Sequence, residues 1–216
     1  MIQFLKESGL TMVSQSFAKA FAGIAVLALV AGCSAIPGSN PPVQLYSLTP
    51  KSTYPDELPV VDWQLGVERP TAPAGLATAR IAAVRTPLTL DYFANVLWVD
   101  DAPNMVQRLL IESFENSNRI VGVGRASVGL RSDYVLRIEL REFQAEYREP
   151  GEPPTIFVRV NTKLVKMPER QIVASVTRDK LMKAPDGKIT SIIKTFDSAL
   201  GKVLKQIVIW TLSTAK

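Results

Sequence analysis

The 216-residue chain contains no histidine, which excludes both a Ser-His-Asp triad and imidazole ligation of a metal. The nucleophile pattern that remains is Ser191-Ile192-Ile193-Lys194. Its S-x-x-K spacing is the one that places an amine beside a serine hydroxyl in serine–lysine acyl enzymes. Ser132-Asp133 superficially matches a second motif of that group, but it comes in the wrong order and no K-T-G follows. Ser191 and Lys194 read better as the solvated face of a helix. Asp100-Asp101 offers two adjacent carboxylates, as an acid pair or metal ligands would. Acids just ahead of a helix are explained more simply by the positive end of the helix dipole. Gly122-Val123-Gly124 is a lone GxG without the rest of a dinucleotide loop. No Walker motif occurs, so any ATP hydrolysis belongs to another subunit. The reading is therefore no enzyme, with no catalytic, cofactor or metal site expected.

One reactive side chain remains, Cys33, and its setting is specific. Phe21 to Ser34, FAGIAVLALVAGCS, is an uncharged apolar run preceded by Lys19. A cationic start, an apolar stretch and small residues before a cut site describe a secretory signal peptide. Leu29-Val30-Ala31-Gly32-Cys33 resembles a bacterial lipobox, although Val30 stands where Leu is more usual. In such signals the Cys thiol takes a diacylglyceryl group, the peptide is cut before it, and the freed amine is acylated. Two linked acyl chains anchor stably where one would be marginal. The rival reading is an uncleaved anchor. The strongly apolar part, Ala20 to Ile36, is marginal against the roughly 20 residues a bilayer needs, and Pro37, Pro41 and Pro42 break a helix. Lipidation also explains the cysteine count. Cys33 is the one cysteine, so no internal disulfide can form, although export implies an oxidising compartment. The segment before Lys19 is long for a signal peptide, and Met12 is an alternative start.

These readings divide the chain into a signal peptide at 1–32, a tether at 33–42 and one domain at 43–216, long enough to bury a real core. Lys and Arg number 25 against 20 Asp and Glu, and the charges alternate in sign. No basic block is interleaved with aromatics, so nucleic acid is not the expected partner.

The elements that must position anything on this domain follow from periodicity. Ser34 to Pro42 is small, polar and Pro-rich, a short spacer. Gln44 to Leu48 reads as an edge strand. Trp63, Leu65 and Val67 alternate with polar or small residues, and Ala79 to Val84 forms a further strand. Leu90 to Val99 is a strand or tight hairpin leading into a helix. That helix, at about 103–117, has acids and a proline at its start and Val106, Leu109, Leu110 and Phe114 on one face. Ile120 to Arg125 returns as a strand. In Ser132 to Arg148 the apolar residues are even-numbered up to Leu140, then odd at Phe143, Ala145 and Tyr147. An unbroken strand would turn half of them to water, so one extra residue near 141–142, a β-bulge, is expected. Strands around Ile156 to Leu164 and Ile172 to Leu181 complete an antiparallel meander. The last element is a long amphipathic helix at 189–212 that needs a sheet to cover its stripe. The expected fold class is α+β: a largely antiparallel sheet with a bent strand near 141–142, packed by two main helices. Trp98 and Trp210 are core candidates in this reading. Exposure of either would make it a possible interface residue.

With these residues in order, the domain resembles the ABC-type transport auxiliary lipoprotein family. Tyr46-Ser47-Leu48, Gly75-Leu76, Ala79-Arg80-Ile81, Tyr92-Phe93-Ala94-Asn95 and Trp98-Val99-Asp100-Asp101 match first. Leu109-Leu110, Phe114-Glu115, Asp133-Tyr134-Val135-Leu136, Glu139 to Phe143 and the late helix follow. The resemblance covers nearly all of Cys33 to Lys216, and its specificity lies in the ordered set. It implies a periplasm-facing accessory to an ABC permease, its ATPase and an Mce-domain protein of a lipid transport system. It implies lipid attachment at Cys33 and supplies no catalytic residues. Ser34 in place of Asp resembles, by the enterobacterial sorting rule, an outer-membrane destination. Self-association is left open. The rivals are a lipid-carrying periplasmic lipoprotein, an envelope assembly factor and, last, a Ser-Lys envelope hydrolase.

Overall fold

The long strands at the centre of the domain are those whose alternation was clearest. The computed structural model describes residues 42–86, 88–128 and 131–215. The signal peptide, Cys33 and the tether up to Pro41 lie outside the described residues. From Val43 onward the chain forms one compact unit. Its order is β1 (Gln44–Tyr46), β2 (Val61–Val67), β3 (Arg80–Val84), β4 (Asp91–Trp98), α1 (Ala102–Ser117), β5 (Ile120–Arg125), β6 (Tyr134–Glu146), β7 (Thr155–Lys166), β8 (Gln171–Lys183) and α2 (Ile189–Thr214). The architecture is α+β, eight strands in one curled sheet with two helices.

β6, β7 and β8 form the antiparallel meander, which is most of the paired length. The bulge lies where the parity change requires it. Leu140 faces Val160 and Glu142 faces Arg159, so Arg141 is the extra residue. Tyr134, Leu136, Ile138 and Leu140 before it, and Phe143 and Ala145 after it, are all buried. The other edge of β6 is shared. β2 pairs with residues 134–136 and β3 with 144–146, both in parallel. β5 extends the sheet beyond β2, and β4 then β1 extend it beyond β3. These parallel joins are set by partners far apart in the chain, and local alternation carries no sign of them.

Helix α1 starts where Asp101 accepts the Asn104 N–H at 2.9 Å and ends at Asn118, whose φ of 52° is the left-handed conformation Asn tolerates. Its Met105, Val106, Leu109, Leu110 and Phe114 are fully buried. Helix α2 covers β7 and β8 and touches α1. Ile192, Phe196, Leu200, Val203, Leu204 and Ile207 form its buried stripe. At the centre, Phe143 just beyond the bulge, Trp98 at the end of β4 and Phe196 on α2 pack ring on ring, with centroids 5.2–5.6 Å apart. The chain after β1 is strapped to both helices. Thr49 donates its N–H to Asp197 at 2.7 Å, and Lys51 donates its N–H to the Ser113 hydroxyl at 2.9 Å.

Candidate functional site

The serine–lysine pattern does not assemble. Ser191 and Lys194 sit in the first turns of α2, where the Ser191 carbonyl accepts the Thr195 hydroxyl and Lys194 is exposed. Ser132-Asp133 lies at the opposite end of the sheet. Asp133 accepts the Gln64 N–H at 2.8 Å, and its carbonyl accepts the Met167 N–H beside the β7–β8 turn. α2, by contrast, begins beside the β6–β7 turn, where Ala184 N–H donates to Pro154. The length of β6 therefore separates the two halves of the motif.

Asp100-Asp101 is a helix start. Besides capping Asn104, Asp101 binds the Arg69 guanidinium at 2.8 Å, and Asp100 accepts the Asp101 N–H at 2.7 Å. Every one of these bonds is local or to a neighbouring loop. Among the described residues no group of three or more Cys, Asp or Glu side chains is placed to hold a metal. Gly122 and Gly124 lie inside β5, paired with β2 at Gln64 and Gly66. At Gly66 an added Cβ would stand 2.8 Å from the Ser132 Oγ and 3.3 Å from the Ala126 Cβ, so a side chain there requires Ser132 to move.

The structure places Trp98 in the core, the first of its two readings. As a possible interface residue it would have to reach solvent, but it is 2% exposed and wedged between Phe143 and Phe196. The end of β4 points it inward, so it belongs to the core. Trp210 is partly buried against the core and keeps one side outward.

What the surface offers instead is two features that periodicity did not flag. The first is β8, an edge strand of 13 residues that among the described residues pairs with β7 alone. It leaves Ile172, Val173 and Leu181 exposed. The second is the end of the sheet where the β3–β4 and β6–β7 turns stand side by side. Tyr147 N–H donates to Val84 at 2.8 Å, and the Arg85 guanidinium lies 4.4 Å from the Tyr147 ring centre. Residues 84–86 and 146–151 line an open groove of about 750 Å³ there. Arg148 is paired with Glu146 at 2.8 Å, and Lys183 with Glu152 at 2.7 Å. That second pair draws the Glu152 carboxyl below its usual range and lifts the Lys183 amine above its own, through the hydrogen bond and then the charge attraction. Leu88, on the adjacent turn, is fully exposed. The signal for it was present in Thr86-Pro87-Leu88-Thr89-Leu90, a Pro-containing turn with leucines at its tip.

Comparison with known proteins decides the affiliation. The profile of the ABC-type transport auxiliary lipoprotein component matches residues 44–208, which is β1 through most of α2. The chain belongs to that family. A crystal structure from Xanthomonas campestris is 30% identical, with a TM-score of 0.75, over 80% of this chain and 96% of that one. Another solved protein, itself uncharacterized, shares the fold at 15% identity and a TM-score of 0.62, over 78% of this chain and 97% of its own. A curated but uncharacterized protein of Bradyrhizobium diazoefficiens is 30% identical over 187 residues, 85% of this chain. The chain spans about half the length of that curated relative, 49%. At family level the protein is thus an auxiliary lipoprotein component of ABC-type transport. Among the described residues no helix is long and apolar enough to cross a membrane.

Proposed function

We propose that the protein is a membrane-anchored, periplasm-facing auxiliary lipoprotein of an Mce-type ABC lipid transport system, tethered through Cys33 and docking on the Mce-domain component. The observation that carries the reading is the match of residues 44–208 to a transport auxiliary lipoprotein family, set directly behind an apolar run that ends in Ala31-Gly32-Cys33. Acylation of Cys33 holds the domain at one membrane. Ser34 favours the outer one by the enterobacterial rule. The folded domain then acts by contact. Its candidate chemistry-bearing residues are used as caps and solvated helix faces, which suits an accessory whose permease and ATPase are other chains.

The alternative, a lipid carrier, requires an apolar cavity between sheet and helices. That layer is occupied by Trp98, Phe114, Phe143 and Phe196, each at most 2% exposed, and by the aliphatic residues between them. Packing of this kind leaves an acyl chain no room without opening the core. The tether-and-dock reading is therefore preferred.

The direct test is to purify the C-terminally tagged full chain from detergent-solubilised envelopes and identify what comes with it. Recovery of an Mce-domain protein together with a permease and an ATPase is the expected result. Recovery of an ABC system that has no Mce component would contradict the lipid-transport assignment.

A further inference from the structure

The direction of β1 shows where the tether leaves the domain. β1 runs parallel to β4, with Gln44 opposite Val96 and Tyr46 opposite Trp98. β4 begins at Asp91, which pairs with Ala83 near the end of β3. Followed backwards from Gln44, the chain therefore heads toward the start of β4. That is the end of the sheet where the β3–β4 and β6–β7 turns stand together. Ser34 to Pro42 is nine residues, about 30 Å when fully extended. The opposite end, at the β7–β8 turn, lies beyond the length of β6, whose 13 residues span about 40 Å. A spacer of about 30 Å is thus shorter than the sheet is long, and its exit direction favours the near end.

The near end also carries apolar side chains in water. Leu88 is fully exposed at the tip of the turn, and its φ of 68° is a conformation a leucine rarely takes. Val43, at the exit of the tether, is 53% exposed and Leu90 is 40% exposed. Tyr92 and Tyr147, each under an arginine, stand behind them. Tyr and Arg with apolar stems are side chains suited to the boundary between headgroups and acyl chains. The charges there are of both signs and several are paired with one another, so the attraction is apolar rather than a matter of net charge.

We propose that this end of the sheet rests on the lipid surface, with Leu88 entering the boundary between headgroups and acyl chains. The orientation rests on the reading of Cys33 as the anchor. It leaves the β8 edge and the far end of the sheet free to meet other subunits.

The test uses the full chain, lipidated in cells and reconstituted in phosphatidylcholine vesicles containing a nitroxide-labelled lipid. An environment-sensitive fluorophore is attached by maleimide to Leu88→Cys at the near end or to Glu169→Cys at the far end. The parent chain reports the anchor separately, because an acylated Cys33 sulfur takes up no maleimide. Strong quenching at 88 with little at 169 supports the proposal. Equal quenching at both, or more at 169, overturns it. A probe at 88 that leaves water without being quenched by lipid would assign the tip to a protein contact and also overturn it. Should the parent chain take up label, the anchor reading fails. The same ratio, measured in a Cys33→Ser background with added vesicles, then still decides the orientation.

Discussion

Tyr54 shows how a single side chain ties the segment after β1 to the body of the domain. Its hydroxyl donates to the Ser113 carbonyl at 2.9 Å, and burial pushes the phenol up to about 12, with a smaller opposing effect from Ser113. The sign of the pH effect follows. Above pH 10 the unfolded chain releases this proton while the folded chain keeps it, so the folded state holds more protons and stability falls as pH rises. Denaturant titrations between pH 9 and pH 12 should show that fall, and Tyr54→Phe should flatten part of it. A slope identical in the two proteins would contradict the burial argument. Trp98 makes the opposite case, an apolar residue whose role is packing alone. Trp98→Ala removes the ring that both Phe143 and Phe196 touch. It should cost about 3–5 kcal/mol by denaturant melts. A loss below about 1 kcal/mol would mean that the site is not the packed centre described.

At the scale of elements, the bulge in β6 sets the facing of one of the two longest strands. Arg141 is the extra residue, and its salt bridge to Glu139 at 2.7 Å is exposed. Such a pair contributes little. Arg141→Ala should therefore change stability by no more than about 0.5 kcal/mol. Deleting Arg141 should instead abolish the cooperative thermal transition, since either Tyr134 to Leu140 or Phe143 and Ala145 must then turn to water. A deletion variant that melts like its parent would show that the bulge is dispensable. This feature was legible in the sequence because alternation is a local signal and a parity change has one cheap explanation. The two helices were legible for the same reason, with α1 found within a residue of its start and α2 extending two residues past its expected end. The parallel joins of β2 and β3 to β6 were not, because they pair residues far apart in sequence. Trp98 was legible as a core candidate, but its seat between Phe143 and Phe196 was not, because that depends on where β4 ends relative to α2. The turn that carries Leu88 is marked in the sequence by its proline and flanking threonines, but the full exposure of Leu88 depends on how that turn stands beside the β6–β7 turn.

On the scale of the whole molecule, the protein is a packed α+β domain that belongs to a family of transport auxiliary lipoproteins. Its activity is expected to lie in where it is held and what it touches. Ser191→Ala combined with Lys194→Ala should thus leave cellular function intact, measured as survival under envelope stress relative to a strain lacking the protein. Loss of function in a variant that folds normally would reopen the hydrolase reading. Cys33→Ala, which would remove the proposed anchor, should do the reverse and abolish function while leaving the fold untouched. The most direct measurement of the central claim is metabolic labelling of cells with a radioactive fatty acid, comparing the native chain with Cys33→Ala. The account predicts label in the native protein and none in the variant. Equal labelling of the two, or a native protein that stays unlabelled and free in the periplasm, would contradict it.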